Sequence, residues 1–307
     1  MFKIKNDMNN NDKQTIVSIG LPIYNGEKFL KKRIENLLLQ TFSNFELIIS
    51  DNASTDRSVQ ICKEFMKKDS RIKIYQQEKN IGQFQNYNFV LNESQGRYFL
   101  WVAADDLLEP TFLEKNVEIL DSNDNVVTSV SKLKMFGSFT DGLRQKENSL
   151  IKRIESKIKA RMSYMSCFPV SGKYENRVTK FLKTARHSQV FYGIHRTDAL
   201  KKCIIDKPIM GQDTVYALSL LKYGNIHVID DILMSVFDGG TSREGDMFKM
   251  TKLIYDNVFW VIFPWIHFTL KCKKLIGWKL FLRNFTFFIK YNALGWLSLL
   301  LTIKRKL

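Results

Sequence analysis

The chain has 307 residues, enough for one large domain or a domain with an appendage, and 45% of them are apolar, so it can bury a substantial core. A net charge of +16 calls for an anionic partner: nucleic acid, a membrane surface or a phosphorylated substrate. Four widely spaced cysteines without a C-x-x-C, and four scattered histidines, argue against a structural zinc site and fit reduced thiols in a cytosolic setting.

Residues 1–14 are polar and lack the apolar core of a signal peptide, so they read as a short disordered lead-in. TIVSIGLPIYN (15–25) is a β-rich run that enters a loop at Pro22. Residues 27–40 place Phe29, Leu30, Ile34, Leu37 and Leu38 on one helical face. FELIISD (45–51) is a short buried strand, and NASTD leads into a helix over 57–67 with Asp56 as its cap. RIKIYQQ (71–77) gives a third strand, and NIGQFQNYNFVLNES a loop and helix. RYFLWVA (97–103) gives a fourth strand, and the next helix starts at Pro110, a favoured first position. Four strand–helix alternations with continuous apolar strands mean α/β architecture, a mostly parallel sheet flanked by helices. Ligands of such sheets bind beyond the carboxyl ends of the strands, and three of those ends here are polar or acidic: PIYN, SDNASTD and AADD.

The second half is less regular. An excursion with Gly137 and Gly142 runs over 136–151, and charge-rich helical segments follow over 152–165 and 175–184. SQVFYGIHR is strand-like, GQDTVYALSLLKYG is a helix closed by Gly224, and NIHVIDDILMSVF is a strand leading to the glycine-rich loop DGGTSREGD. Residues 252–307 carry ten Lys or Arg against one acid, Asp256, together with 13 of the 39 aromatics. Its two apolar runs, 16 and 13 residues, fall short of the ~20 that a spanning helix needs. Basic and aromatic residues at helical spacing describe helices lying on an anionic membrane surface; a core helix pair with solvated lysines, or a hairpin dipping into the bilayer, is the other reading.

The acids carry the chemistry. Asp105 and Asp106 follow a strand, where such a pair serves either a hard cation with substrate phosphates or a turn beside a helix N-terminus. Asp51 ends the second strand and can accept from a base N–H or cap its own loop. Asp213, near a helix start, can take a proton from an attacking hydroxyl or serve as a cap. His187, His195 and Arg243 are weaker candidates for substrate contact.

Together these segments resemble the family 2 glycosyltransferases with the GT-A fold. VSIGLPIYNGEKFLKKRIENLLLQTFSNFELIISDNASTDRSVQI is similar to the family's opening, GRYFLWVAADDLLEPTFLEK to its acidic metal motif, and GQDTVYALSLLKYG to the segment with its catalytic base; the likeness spans about 16–231. It implies a domain over 15–243, with a nucleotide-sugar-binding half (15–131) and an acceptor-binding half (132–243); the basic helical membrane-associating tail after it (244–307) is the reading of its charge and aromatic content. It implies that Pro22, Tyr24 and Asn25 line the nucleotide pocket, that Asp51 meets the base, and that Asn80 and Gly82 border the donor. Asp105 falls on the acid that binds Mn²⁺ or Mg²⁺, with Asp106 beside it, and Asp213 on the general base. Three departures stand out: Ala103 where many members have a first acid, Gln212 where a glutamate is common before the base, and Gln85 and Asn86 where an arginine is frequent.

The implied activity is an inverting hexosyl or N-acetylhexosaminyl transfer from a nucleotide-diphosphate donor such as a UDP-sugar. The implied acceptor is a glycan or lipid-linked saccharide of cell-surface polysaccharide synthesis, met on the cytoplasmic face of the membrane. The competing expectation is a non-catalytic nucleotide-sugar-binding scaffold, against which the three retained acids argue. A nucleic-acid partner is not expected, because the excess charge lies in an apolar, aromatic tail without a nucleic-acid motif.

Overall fold

The structure, a computed structural model, describes residues 2–4, 15–137, 168–184, 187–237 and 247–304. The 136–151 excursion beyond residue 137, the helical segment expected over 152–165, Arg243 and the DGGTSREGD loop lie outside the described residues, as does the His187 side chain.

The first layer forms as the pattern requires. β1 (Phe2–Ile4) is followed by β2 (Val17–Ile23), α1 (Glu27–Leu38), β3 (Phe45–Asp51), α2 (Ser58–Met66), β4 (Ile72–Gln76), α3 (Gln83–Asn92) and β5 (Tyr98–Trp101). β2, β3, β4 and β5 are mutually parallel in the order β4-β3-β2-β5. The chain moves outward from β2 to β4, then α3 carries it back to β5 on the other side of β2. That reversal makes the carboxyl end of β2 the switch point, where open α/β sheets bind ligands. Gly20 in β2 permits close packing, since a Cβ there would meet Phe99 Cζ at 2.6 Å and Val90 Cγ2 at 2.7 Å.

Beyond β5 come β6 (Leu107–Leu108), α4 (Phe112–Ser122), β7 (Val126–Phe136), α5 (Tyr174–Thr184), a 3₁₀ turn (His187–Tyr192), β8 (Ile194–Arg196), α6 (Thr197–Lys201), α7 (Gln212–Leu220) and β9 (Asn225–Phe237). All strands join one sheet, ordered β1-β4-β3-β2-β5-β8-β7-β9-β6. Residue 131 lies inside β7, so this one sheet carries both halves of the domain.

Several expectations need correction. The sheet, mostly parallel by the length of its ladders, is also mixed: short antiparallel pairings run β8 against both β5 and β7, β6 against β9, and β1 against β4, beside four parallel pairings among the described residues. The lead-in is not wholly without structure, because Phe2–Ile4 pairs with the open edge of β4. Helix α4 begins at Phe112 rather than Pro110, whose carbonyl accepts the Thr41 amide at 2.9 Å and ties the loop to the end of α1. Most of SQVFYGIHR is a 3₁₀ turn, with only Ile194–Arg196 extended. There the Gly193 backbone tucks under β7, and a Cβ on it would meet the Ser129 carbonyl at 2.8 Å.

Two cores cover the two faces of the sheet. One gathers Leu21, Leu30, Ile34, Leu47 and Cys62 beneath α1 and α2. The other gathers Val90, Trp101 and Leu218 with Phe268, Cys272 and Phe288 of the last region. That region is α8 (Met247–Ile254), α9 (Val258–Ile262), α10 (Pro264–Ile276), α11 (Trp278–Arg283) and α12 (Phe285–Lys304). Its inner face is therefore part of the main core, where each large apolar side chain contributes roughly 1.5–3 kcal/mol of burial. Among the described residues, no helix is long and apolar enough to cross a membrane.

Candidate active site

The loops after β2 and β3 are laced together at the switch point. Asn25 takes a left-handed φ of 49°, which its short polar side chain tolerates. Its amide donates to Ser54 Oγ at 2.8 Å, and its Oδ1 accepts the Thr55 amide at 2.8 Å. Asp56 serves two helices at once, with Oδ2 accepting the Glu27 amide that opens α1 and Oδ1 the Ser58 amide that opens α2, both at 3.0 Å. Burial pushes the Asp56 carboxyl up, but the bonds from Ser58 and Glu27 outweigh it and hold it below the usual range. Between these tied loops Pro22 is half-buried and Tyr24 exposed.

Asp51 sits one strand over, in register with Ile23 and 0% exposed. Its Oδ2 accepts the Ser54 amide at 3.0 Å, whereas its buried Oδ1 has no partner among the described residues. An orphaned carboxylate oxygen at a strand end is a ready acceptor for a base N–H. Next to it, Asn52 Nδ2 donates to Asn80 Oδ1 (2.9 Å), and Asn80 Oδ1 also accepts the Gly82 amide (2.8 Å). This chain of bonds sets Asn80 and the positive-φ Gly82 beside the same strand ends. Asn86, in the stretch where an arginine was the family pattern, is structural. Its Nδ2 donates to the Ser50 carbonyl at 2.9 Å, and its Oδ1 accepts from Ser50 Oγ at 2.5 Å.

The two acids after β5 differ in environment. Asp106 is 2% exposed; its Oδ1 accepts the Phe237 amide at 3.1 Å and its Oδ2 is orphaned. Burial pushes its carboxyl up to about 7, against the pull of Arg33. Asp105 is half-buried, and burial raises it too, opposed by its own backbone amide and by Arg33. Asp105 is thus the accessible member. Among the described residues no three His, Cys, Asp or Glu side chains gather into a cage for a metal. A hard divalent ion bound to a diphosphate needs only one or two protein carboxylates, so Asp105 with Asp106 fits that donor set and falls short of a stand-alone metal site.

Asp213 opens α7 just after Gly211, which is left-handed with φ 73°. A Cβ at Gly211 would meet Phe268 of α10 at 2.9 Å, so the last region packs directly behind this helix start. Burial pushes the partly exposed Asp213 carboxyl up to about 6. Tyr87 and Tyr192 link the two acidic centres: burial first, and then Asp105, Asp106 and Asp213 together, raise both phenols. All three acids therefore lie within electrostatic reach of the same two tyrosines.

His195 lines the same small buried cavity as Asp213, with Trp101 and Tyr216. It is buried edge-on to Trp101 with its Nδ1 3.0 Å from Thr128 Oγ1, and burial pushes it down to about 4, so it stays neutral. Arg33, Tyr87 and Tyr192 escaped the sequence reading. For Arg33 a signal was present: it lies within the apolar face Leu30, Ile34 and Leu37 of α1 and is 1% exposed. The tyrosines carried no such mark, since aromatics at helical or strand spacing are ordinary core residues.

The sequence matches the family described as Glycosyl transferase family 2 over residues 18–182. It is 32% identical over 136 residues to an uncharacterized glycosyltransferase of Haemophilus influenzae, covering 44% of this chain and 40% of that one. It is 36% identical over 99 residues to glycosyltransferase GlyG of Streptococcus pneumoniae, covering 32% and 33%. These matches span less than half the length of either relative. Among solved structures, S. aureus TarS 1-349 in complex with UDP-GlcNAc aligns with a TM-score of 0.63 at 18% identity, covering 90% of this chain and 71% of that one. The mannosyltransferase PcManGT from Pyrobaculum calidifontis, in complex with GDP-Man and Mn²⁺, aligns at 0.60 with 12% identity, covering 96% and 75%. At such identities the structural likeness is one of fold, and it is the GT-A fold. With more than half of its length matched to the family, the chain belongs to glycosyl transferase family 2.

Proposed function

We propose that the protein transfers a sugar, with inversion, from a nucleotide-diphosphate donor to a saccharide acceptor held near a membrane surface. The observation that carries this reading is the family match together with the acids at adjacent strand ends, Asp51 with its orphaned Oδ1 after β3 and Asp105 and Asp106 after β5, on either side of β2. Inversion in one displacement needs a base on the acceptor side and charge relief on the leaving side. Asp213 supplies the base: it takes the proton of the acceptor hydroxyl as that oxygen bonds the anomeric carbon, while the bond to the diphosphate breaks. A carboxyl raised to about 6 is ionised at neutral pH yet basic enough for the task. Asp51 with its orphaned Oδ1 receives the base of the nucleotide, and Pro22, Tyr24, Asn25, Asn80 and Gly82 frame it. Asp105, with Asp106 behind it, would hold a Mn²⁺ or Mg²⁺ ion, which would supply charge relief to the leaving diphosphate.

The donor is a UDP-hexose or UDP-N-acetylhexosamine in this reading; the UDP-GlcNAc complex of TarS supports it, while the GDP-Man complex of PcManGT keeps GDP-sugars as controls. A purely binding scaffold would have no use for a partly exposed carboxylate raised toward neutral pH and poised as a base. The outer face of the last helices supports the membrane setting. Trp278, Leu282, Phe285 and Ile289 are exposed at helical spacing, with Lys279, Arg283 and Lys290 beside them. We place the protein on the cytoplasmic side of the membrane, acting on a lipid-linked or surface-polysaccharide acceptor. Incubation with UDP-sugars and GDP-sugars, Mn²⁺ and lipid-linked acceptors should release nucleotide diphosphate; equal release by Asp213→Ala would end the catalytic reading.

A further inference from the structure

Asn88 of α3 and Tyr216 of α7 are buried polar partners 128 positions apart. The Tyr216 hydroxyl donates to Asn88 Oδ1 at 2.9 Å, and the two residues are 4% and 6% exposed. Asn88 Nδ2 donates in turn to the Ile205 carbonyl at 3.2 Å. Three positions earlier on α3, Gln85 Nε2 donates to the Asp206 carbonyl at 3.3 Å. Thus α3 grips α7 one turn after Asp213, together with the segment that leads into it. Trp101 ties the same part of α3 to β5: its Nε1 donates to the Tyr87 carbonyl at 3.0 Å, and its ring meets Tyr216 edge-on with centroids 5.5 Å apart. The other end of α3 stands at the strand ends around Asp51. The helix opens at Gly82, where the Ile81 amide donates to Asn52 Oδ1 and the Gly82 amide to Asn80 Oδ1, both at 2.8 Å. One ten-residue helix runs from the proposed donor pocket to a buried bond on the helix that carries Asp213.

From this geometry we infer that Asn88 is a positioning residue: through Tyr216 it couples occupancy of the donor site to the placement of Asp213. The inference rests on the reading of the donor pocket and the base given above. A nucleoside diphosphate that orders the Asn52, Asn80 and Gly82 loop also orders the start of α3. A ligand that orders one element lowers the cost of ordering the next element bonded to it. The Asn88–Tyr216 bond is buried, so an opening of α7 that breaks it leaves the Asn88 oxygen desolvated and unmet. The base is therefore held most firmly when the donor is in place.

The readout is hydrogen exchange of the α7 amides with and without UDP and Mn²⁺, by mass spectrometry, with GDP as a second probe. In wild type the nucleotide should slow exchange in α7 about fivefold or more, the low end of a typical coupling between sites. Tyr216→Phe keeps the ring against Trp101 and removes only the hydroxyl. It should bind UDP with near wild-type affinity in isothermal titration and lose most of that slowing. A bond with a merely structural role would speed exchange by the same factor with and without nucleotide, and that result in folded Tyr216→Phe overturns the inference. If Tyr216→Phe does not fold, Asn88→Ala, which removes the same bond from the α3 side, decides on the same criterion. Wild type that binds UDP or GDP with no change in α7 exchange overturns the coupling alone and leaves the donor site standing. Wild type that binds neither refutes the donor-site reading itself, and the inference with it.

Discussion

The backbone amide of Phe237 donates to Asp106 Oδ1 at 3.1 Å, joining the last residue of β9 to an acid 131 positions earlier. This bond, with the pairing of Leu107 to Ser235 and Leu108 to Met234, clamps the acidic turn from the side opposite α1. Asp106→Asn keeps an acceptor for the amide and removes a buried charge, so its Tm should match or exceed wild type. Asp106→Ala orphans the amide and should lose about 1–3 kcal/mol in thermal or urea unfolding. Equal stability of the two variants would show that the bond does not hold the turn.

Asp213 governs the pH profile. Its folded-state value of about 6 is above the ordinary carboxyl value, so transfer should rise with pH as the base ionises and level off above about 7. Asp213→Asn should lower kcat by ~10²–10⁴ and remove that rise. A profile of kcat/KM against pH that keeps the same acid limb in the variant would assign the limb to another group.

The same carboxyl has a stability signature of defined sign. A folded-state value raised above the unfolded one means that the native state holds the extra proton. Its contribution is fully present below the unfolded value and is lost as pH rises through about 6. Asp213→Asn should therefore be more stable than wild type at pH 8 by roughly 1 kcal/mol, after allowance for partial exposure, and not at pH 4. Thermal unfolding at the two pH values checks it.

The last region has two faces with different jobs. Phe268 lies in the main core and touches the Gly211 turn that leads to Asp213, so Phe268→Ala should cost about 3–5 kcal/mol. Deleting 252–307 should unfold the protein rather than free a stable soluble domain, as circular dichroism of the truncated chain would reveal.

On the outer face, replacing Trp278, Leu282, Phe285 and Ile289 together with serine should leave Tm within a few degrees of wild type. The same variant should abolish sedimentation with vesicles of anionic lipid. Binding that persists would move the membrane contact elsewhere.

The α/β repeat and the polar strand ends were legible because they are local. The apolar runs around Ile19, Leu47 and Leu100 announce buried strands, and a strand end puts Asp51 or Asp105 at the sheet's rim whatever follows. The antiparallel insertion of β8 was not legible. It depends on Gly193 passing under β7, a contact between residues far apart in sequence. Nor was the inner face of the tail, whose aromatics satisfy a lipid surface and a protein core equally well by periodicity.

By itself, then, the sequence determined most of the strands, the helices between them and the acids at the strand ends, with Ala103 standing where the family resemblance implies an acid. Only the tertiary structure decided how those acids differ. Asp105 and Asp106 are neighbours in the chain, but the Phe237 amide and the buried face of α1 seal one and leave the other accessible. Asp213 is set at the start of a helix that packs against α10, and Arg33, which the sequence places on an apolar helix face, is sealed inside with Asn36 as its hydrogen-bond partner. A carboxylate's role is set by desolvation and by the charges around it, and both are properties of the folded surroundings rather than of the residue.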